Sequence, residues 1–357
     1  MDAAAIGDPD AFRPEAYRAP ADTWVAGSRE ELLAAAEERI EVNPGDARSG
    51  STFERVRIGD EWFFAKTLGY RTDWIMRVTH DRDLRTLRMY RAGIMTGAPA
   101  QIDHGVVGMA ADGVDEDALL TILMRDLSSA LIPEGDSTVS LATHLALIDG
   151  MAALSAHYWG WADDLGLASM AERVRFFAPD NIAPEAAVDD PPLPVAVAVQ
   201  GWPRLAELSP QLATLVAAIH ADPRPWTDAL EATPSTFLQG DWKMGNLGVH
   251  DDGRTVLLDW AYPGSGPVLW DLAWYLALNA ARLPISKEDT VVALRDALER
   301  RGIATADWFE TQLDLCLLGM VACFGWEKAM GDAAELKWWE SRARVGAARL
   351  SAAYPSW

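Results

Sequence analysis

The sequence contains few cysteines and no long apolar segment. The two cysteines, Cys316 and Cys323, are seven residues apart in one predicted helix, which separates them by ~10 Å along the helix axis. A disulfide cannot span that distance, so we expect two buried thiols rather than a redox or metal-binding pair. No apolar run reaches the roughly 18 residues of a membrane span. The nearest to it, residues 141–154, is interrupted by His144 and Asp149.

Basic residues are scarce relative to acidic ones. The chain has 31 Lys and Arg against 53 Asp and Glu, which gives a net charge of −22. This charge disfavours nucleic acid and anionic membranes as partners. The acids are spread along the chain, so a solvated surface explains them, although such a surface could also attract a cationic substrate. The first residues show neither the basic nor the apolar segment of a secretory signal, and we expect a cytoplasmic protein.

The length of 357 residues and the order of local patterns predict two lobes. Residues 1–39 form an N-terminal extension, in which Ser28 and Glu31 resemble a capping box and predict a helix to about residue 39. Residues 40–124 combine strand patterns with one helical pattern and predict an α+β lobe with an antiparallel sheet. The predicted strands are 40–42, 53–58, 62–67, 100–107 and 119–124, and the predicted helix is 81–91.

Residues 125–357 are mainly helical in pattern and predict a second, larger lobe. Five prolines between residues 179 and 194 predict a loop or lid, because proline removes a helix hydrogen bond. Two strands are predicted at 247–250 and 255–258, joined by a turn at Gly253. The predicted helices are 141–159, 205–221, 268–281, 287–301, 308–330 and 333–353.

One motif in the second lobe carries most of the chemistry. Asp241 is followed five residues later by Asn246, and Asp259 lies across a predicted hairpin from Asn246. An Asp that orients a hydroxyl, with an Asn and a second Asp that hold Mg²⁺ on a nucleoside triphosphate, is an arrangement of phosphoryl-transfer sites. Lys243 could balance charge on the transferred group, and a solvent-facing loop lysine is the alternative reading.

Further candidates lie in the first lobe. Lys66 occurs in an otherwise apolar and aromatic strand and would contact the α- and β-phosphates of a nucleotide. The connection between the first two strands ends in a polar segment whose backbone N–H groups and hydroxyls could hold phosphate oxygens. An ordinary hairpin turn explains that segment equally well. It consists of Ser49, Gly50, Ser51 and Thr52.

Together these motifs resemble the aminoglycoside phosphotransferase-like family, which includes choline kinase-like enzymes and shares the protein-kinase fold. The family's catalytic loop usually reads His-Gly-Asp, four residues and Asn; here it begins Gln-Gly-Asp. The resemblance covers about residues 40–350 and implies a bilobal fold with a small N-lobe and a larger, mostly helical C-lobe. It implies that Asp241 is catalytic and that Asn246 and Asp259 bind magnesium.

The resemblance also assigns roles outside the catalytic loop. Lys66 matches the family's nucleotide-binding lysine. Residues 123–127 look like the hinge between the lobes, whose backbone at Met124 and Arg125 would pair with adenine. Asp271 follows the metal-binding segment and would brace the catalytic loop from a helix N-terminus.

Three departures from the family pattern stand out. Gln239 replaces the usual His, a change that the loop should tolerate because that residue mainly braces it. Ala261 stands where the family often has an acid, which removes one metal contact. The helix after Lys66 lacks the family's Glu and offers only Asp81 and Asp83. Asp83 is the candidate to pair with the lysine.

The chain has 16 tryptophans. Most should be core or interface anchors, because a large aromatic ring contributes strongly when buried. Four in the second lobe could line a substrate cleft, although helix packing explains them equally. They are Trp202, Trp226, Trp274 and Trp326.

The motifs and the resemblance predict an ATP- (or GTP-) dependent phosphotransferase that uses Mg²⁺ and transfers the γ-phosphoryl group directly to a hydroxyl. The acceptor would be an aminoglycoside, an amino sugar, a sugar or a similar small molecule, in a pocket built from residues 179–194, 205–221 and 308–330. A catalytically silent nucleotide-binding or sensor protein of the same fold is the alternative, favoured by the missing helix Glu. A protein kinase is disfavoured, because residues 261–267 are too short to present a peptide. No pattern indicates the oligomeric state.

Overall fold

The computed structural model describes residues 23–42 and 49–354. Its first part is built around a sheet that is mainly antiparallel, and its second part is mainly helical. The predicted α+β architecture, with a small N-lobe and a larger helical C-lobe, is confirmed. Residues 1–22 of the predicted N-terminal extension and the connection at residues 43–48 lie outside the described residues.

Within the described residues, the N-lobe contains short strands, three short α-helices and a 3₁₀ helix at Asp115–Asp117. In chain order the strands and α-helices are β1 (Val25–Ala26), α1 (Arg29–Leu32), β2 (Glu38–Val42), β3 (Thr52–Ile58), β4 (Glu61–Gly69), α2 (Trp74–Val78), α3 (Arg85–Arg91), β5 (Ile102–Asp103), β6 (Val106–Asp112) and β7 (Leu119–Arg125). Six of the strands form one sheet in the order β1-β6-β7-β4-β3-β2. Its neighbours are antiparallel, except that β1 runs parallel to β6.

Strand alternation explains why the lysine of β4 faces the cleft. Successive side chains of a strand point to opposite faces of the sheet. Ala65 packs with Val56 and Leu123 against Leu32 of α1 on the outer face. Lys66 therefore lies on the inner face, and its strand is flanked by β3 and β7 in the interior of the sheet.

The predicted N-lobe helices need correction. The helix capped by Ser28 ends at Leu32 rather than near residue 39, because the following residues form β2 and pair with β3 as an edge strand. The helix predicted at 81–91 begins at Arg85. A separate short helix, α2, precedes it and has no counterpart among the predicted elements.

The C-lobe contains most of the helices and two small sheets. In chain order its elements are α4 (Leu141–His157), α5 (Met170–Val174), α6 (Pro179–Ala186), α7 (Leu193–Leu208), α8 (Pro210–Ala221), α9 (Arg224–Glu231), β8 (Ser235–Leu238), β9 (Leu247–Val249), β10 (Thr255–Leu257), β11 (Gly264–Pro267), α10 (Trp270–Leu278), α11 (Lys287–Arg300), α12 (Phe309–Met330) and α13 (Ala333–Ala353). Strand β10 lies between β5 and β9, and β8 pairs with β11. The sequence patterns do not predict α9, β8 or β11.

The proline-rich segment 179–194 is divided between α6, a connection at residues 187–192 and the start of α7, so it is only in part the loop or lid that the prolines predicted. Pro179 is the first residue of α6, and Pro192 is the N-cap of α7. Proline is tolerated there, because the N–H groups of a first helical turn have no partner within the helix. The helix predicted at 205–221 is likewise two helices, and Pro210 begins the second.

Contacts on two sides of the N-lobe join it to the C-lobe. The strand predicted at 100–107 is divided by Gly105, whose φ of +67° turns the chain. Its first part, β5, leaves the N-lobe sheet and pairs in parallel with β10 of the C-lobe. In addition, Arg77 of α2 forms a two-pronged ion pair with Glu185 of α6, at 2.6 and 2.7 Å. The hinge side and the helix side of the N-lobe are therefore both fixed to the C-lobe.

Helix α12 lies at the centre of the C-lobe. It is buried on all faces, as expected of a helix that is apolar all round. Cys316 and Cys323 are free and buried within it, which confirms the expectation of two buried thiols. Across residues 23–42 and 49–354, no helix is long and apolar enough to cross a membrane.

Substitution of Gly319 on α12 tests this packing. An added Cβ at Gly319 would lie 2.3 Å from Cζ2 of Trp226, so we expect Gly319→Ala to lower the free energy of unfolding by about 1–3 kcal/mol, because overpacking forces rigid groups apart. Urea denaturation measures the change. Gly325→Ala is the matched control, since its nearest contact is the flexible end of Leu205 at 3.0 Å. Equal destabilisation of both variants would contradict this account.

Candidate active site

The loop that carries the motif, residues 239–246, connects β8 to β9. Gly240 has a φ of +90°, and an added Cβ there would lie 2.1 Å from the backbone oxygen of Tyr262. Only glycine accepts both the positive φ and this close approach. The glycine therefore lets the loop pack directly against the segment that follows Asp259.

Asp271 holds the start of this loop. It lies in the first turn of α10, and its carboxylate accepts hydrogen bonds from the backbone N–H of Gln239 (3.1 Å) and of Gly240 (3.2 Å). This is the bracing contact that the resemblance implies. Burial raises the pKa of Asp271 to about 6, although Arg173 and the two backbone donors oppose the shift.

The rest of α10 holds the remainder of the loop. Trp274, in the middle of the helix, donates from Nε1 to Oδ1 of Asp241 at 2.9 Å. Asn279, at the C-cap, accepts from the backbone N–H of Met244 (2.7 Å) and donates to the backbone oxygen of Trp242 (2.9 Å). One helix thus contacts the loop at its beginning, middle and end.

Asp241 is surrounded by neutral donors and one nearby cation. The Nδ2 amide of Asn246 donates to its Oδ2 at 2.8 Å, and Nζ of Lys243 lies 4.0 Å from the same oxygen. Burial raises the pKa of Asp241, and the charge of Asp259 adds to the effect, whereas Lys243 and the hydrogen bonds oppose it. The structure therefore brings Asp241, Lys243 and Asn246 together.

Gln239 braces the loop in place of the family's His. Its Oε1 accepts from the backbone N–H of Asp241 at 2.8 Å. Its Nε2 donates to the backbone oxygens of Leu258 (3.1 Å) and Asp259 (2.8 Å). One amide side chain therefore ties the two halves of the motif together, because it has both a donor and an acceptor.

Lys66 of the N-lobe reaches Asp259 of the C-lobe. Its Nζ lies 2.9 Å from both carboxylate oxygens, and Asp259 adopts a φ of +53°, a backbone conformation that is uncommon outside glycine. Burial alone would raise the pKa of Asp259, but the charges of Lys66 and Lys243 outweigh it and lower the pKa. Asp259 is therefore an ionised carboxylate at neutral pH.

Asn246 and Asp259 have the chemistry of a magnesium site. The backbone N–H of Leu258 donates to the backbone oxygen of Asn246 at 2.9 Å, which brings the two residues side by side. The amide nitrogen of Asn246 makes both bonds to Asp241, so its amide oxygen is the atom left for a cation. An amide oxygen beside an ionised carboxylate suits a hard cation that keeps several waters and phosphate oxygens.

The polar segment 49–52 is fixed to the N-terminus of α2. The hydroxyl of Ser51 donates to Oδ2 of Asp73 at 3.0 Å. The backbone oxygen of Ser49 accepts from the backbone N–H of Trp74 at 3.0 Å. The segment leads into β3, next to the lysine strand, and so lies at the rim of the cleft.

The structure does not bring Asp83 to Lys66. Asp83 is exposed in the turn before α3, and Asp81 accepts from the backbone N–H of Arg85. The N-lobe acid that interacts electrostatically with Lys66 is Asp73, the N-cap of α2. Burial raises the pKa of Asp73, and the charge of Lys66 opposes that rise. The sequence contained a signal for this helix, because Asp73 stands directly before a short apolar run, and such a pattern is a common start of a helix.

The predicted hinge lies at the end of β7. Met124 pairs with Val106 of β6, and the backbone N–H of Arg125 donates to the backbone oxygen of Gly105 at 2.8 Å. The guanidinium of Arg125 pairs with Asp103. A cavity of about 530 Å³ adjoins the hinge and is lined by residues 61–63 and 125–129.

These features define a two-lobed fold with a cluster of Lys, Asp and Asn side chains between the lobes. Comparison with known proteins supports the same fold and the same region of the chain as the site. Residues 139–312, just under half of the chain, match the model of the phosphotransferase enzyme family APH. The match includes Asp241, Asn246 and Asp259 but not Lys66. The predicted resemblance to this family is confirmed, and it supports a phosphotransferase. No curated protein shows a significant sequence match.

Solved structures extend the likeness to nearly the whole chain. A microcompartment-associated aminopropanol kinase is 13% identical, covers 91% of this chain and 95% of its own, and has a TM-score of 0.50. Choline kinase LicA from Streptococcus pneumoniae is 12% identical, with 90% and 96% covered and a TM-score of 0.43. A thermostable mutant of the aminoglycoside phosphotransferase APH(4)-Ia, in complex with ADP and hygromycin B, is 14% identical, with 90% and 96% covered and a TM-score of 0.44. The first of these shows a shared kinase fold.

The buried carboxyl of Asp271 predicts a pH effect on stability. Its pKa is raised from 3.8 to about 6, so the folded state binds its proton more tightly than the unfolded state does. The stability due to that proton is lost as pH rises through about 6. Relative to that of Asp271→Asn, the free energy of unfolding of the wild type should fall by up to roughly 3 kcal/mol between pH 4 and pH 7. Urea denaturation at each pH measures this change. Asp251→Asn in an exposed turn is the control, and parallel pH curves for wild type and Asp271→Asn would refute the assignment.

Proposed function

We propose that the protein is an ATP- (or GTP-) dependent phosphotransferase that moves the γ-phosphoryl group onto a hydroxyl of a small molecule. The observation that carries the proposal is one cluster at the junction of the lobes, in which Asp241 is bonded to Asn246 and Lys66 to Asp259. The match to the phosphotransferase family supports the reaction class. The fold shared with an aminopropanol kinase is consistent with a small acceptor.

The roles follow from the partners of each side chain. Asp241 would accept a hydrogen bond from the acceptor hydroxyl and take its proton as the new phosphorus–oxygen bond forms and the bond from the γ-phosphorus to the departing nucleoside diphosphate breaks. Lys243, which lies beside Asp241, would balance negative charge on the transferred group. Asn246 and Asp259 would hold Mg²⁺, which when bound supplies positive charge to the phosphate oxygens.

The nucleotide would lie between the lobes. Lys66 would exchange its bonds to Asp259 for bonds to the α- and β-phosphates. The segment 49–52 would cover the phosphates, and the backbone at Met124 and Arg125 would pair with the base. In this proposal residues 40–124 bind the nucleotide, and residues 125–357 supply the catalytic loop, the metal ligands and the acceptor pocket.

The acceptor pocket would be formed by residues 179–194, 205–221 and 308–330 of the C-lobe, which belong to helices α6, α7, α8 and α12 and their connections. The net charge of −22 is consistent with a cationic acceptor such as an aminoglycoside or amino sugar, and a neutral sugar is the other candidate. The test is a coupled assay of ADP formation with aminoglycosides, amino sugars, sugars, choline-like amino alcohols and macrolides. Acceptor-dependent ADP formation supports the proposal. Binding of Mg-ATP without acceptor-dependent turnover across this panel contradicts it.

Removal of the base tests the role of Asp241. Asp241→Ala should lower kcat by about 100- to 10,000-fold, the range expected when a general base is lost. Nucleotide affinity, measured by calorimetry, should change little, because Asp241 faces the acceptor hydroxyl. Asp251→Ala, in the exposed turn between β9 and β10, is the control and should keep full activity. Substantial turnover by Asp241→Ala would refute the assignment.

Removal of the lysine tests the nucleotide site. Lys66→Met should lower kcat/KM for ATP by roughly 10- to 100-fold, because a charged hydrogen bond to the phosphates is lost. Lys337→Met changes the charge equally at an exposed position of α13 and serves as the control. The two variants are compared in initial-rate assays over a range of ATP concentrations. An unchanged kcat/KM in Lys66→Met would rule out the proposed phosphate contact.

A further inference from the structure

Trp274 makes a contact to Asp241 that the family motifs do not contain. It follows Asp271 by three residues in α10, so the two side chains lie on one face of the helix. Asp271 accepts the backbone N–H groups at the start of the catalytic loop, and Trp274 donates to the side chain of Asp241. The same helix face thus positions both the backbone and the reactive carboxylate.

The indole is held rigidly. Trp274 is only 4% exposed, and its ring packs edge-on against Phe324, with ring centroids 4.9 Å apart. A second ring, Phe176, lies 6.5 Å from it. Edge-to-face pairs at such distances are favourable. The direction of the indole N–H is therefore set by packing that does not involve Asp241.

Two donors hold the carboxylate from its two sides. Trp274 donates to Oδ1 and Asn246 donates to Oδ2, so rotation of the carboxylate about its Cβ–Cγ bond would break both hydrogen bonds. Lys243 approaches Oδ2. The partner of Oδ1 is a neutral group that can donate but cannot accept or lose a proton under ordinary conditions. It orients the carboxylate without neutralising it.

We propose that Trp274 is a positioning residue for phosphoryl transfer. Through its indole N–H it would hold the Asp241 carboxylate in the orientation that receives the acceptor hydroxyl. This inference rests on the proposed function, because the orientation matters for turnover only if Asp241 receives that hydroxyl. Proper orientation of a reacting group accounts for a large part of the rate in enclosed sites.

The first test separates positioning from packing. Trp274→Phe keeps an aromatic ring but removes the N–H, and it should lower kcat by about 10- to 100-fold, since a hydrogen bond to a charged group is lost. The KM for ATP should stay within about twofold, a split expected of an interaction that acts on the reacting group. Trp226→Phe is the matched control, because Trp226 is 0% exposed and therefore packs in the core rather than lining a cleft. Its buried indole donates to the backbone oxygen of Leu315 at 2.9 Å, and this variant should keep kcat within about twofold. An unchanged kcat in Trp274→Phe, or an equal fall in both variants, would overturn the proposal.

The second test does not depend on turnover. In the full chain labelled with ¹⁵N at the indole nitrogens, the Trp274 signal is assigned by its loss in Trp274→Phe and the Trp226 signal by its loss in Trp226→Phe. Asp241→Asn removes the negative charge with almost no change in shape. This substitution should shift the Trp274 indole proton upfield and leave the Trp226 signal in place. A Trp274 signal that does not respond overturns the proposal even if no acceptor is found, whereas absence of turnover with every acceptor counts against the proposed function alone.

Discussion

The loop that carries Asp241 and Asn246 is held by helix α10, and α10 is in turn held by α12. The N–H groups at the start of a helix and the carbonyls at its end have no partners within it, and burial makes each unpaired group costly. Side chains of α12 supply partners at both ends of α10: Gln312 accepts from the N–H of Leu269 at 2.9 Å, and Lys328 donates to the oxygen of Ala277 at 2.7 Å. Because α12 is buried on all faces, the geometry of the loop is set by the C-lobe core.

The pairing of β5 with β10 holds the segment before Asp259 in place relative to the N-lobe. Strand β10 ends two residues before Asp259, and the turn after β5 leads into β6, which pairs with β7, the strand that ends at the hinge. Asp103, at the end of β5, pairs with Arg125 of the hinge and accepts from His250 of the β9–β10 hairpin at 2.9 Å. One buried carboxylate thus links the hinge to the hairpin that carries Asp259. This link brings Asp259 within reach of Lys66, a residue 193 positions earlier in the chain.

The parts of the site that sequence could predict are those with a fixed local spacing. The spacing of Asp241, Asn246 and Asp259 predicted a cluster because a hairpin returns the chain within a few residues, and Lys66 was conspicuous in an apolar strand. Trp274 acts on a residue 33 positions earlier in the chain, and Asp73, although only seven residues after Lys66, caps a short helix that the patterns did not predict. Local pattern also failed in part of segment 179–194, where Pro179 begins a helix and Pro184 lies inside it. Helix α13 was predicted with its observed bounds, because its pattern is long and its ends are capped.

The carboxylates of Asp241 and Asp259 have different hydrogen-bonding partners. This difference accounts for the different chemical roles proposed for them. Asp259 is held by a cation, Lys66, on both oxygens, and its pKa falls despite burial. Asp241 is held by the neutral donors of Trp274 and Asn246, and burial raises its pKa. Environments that push two pKa values apart let identical side chains take different roles. The carboxylate with the lower pKa suits a metal ion, and the carboxylate with the higher pKa suits the proton of an attacking hydroxyl.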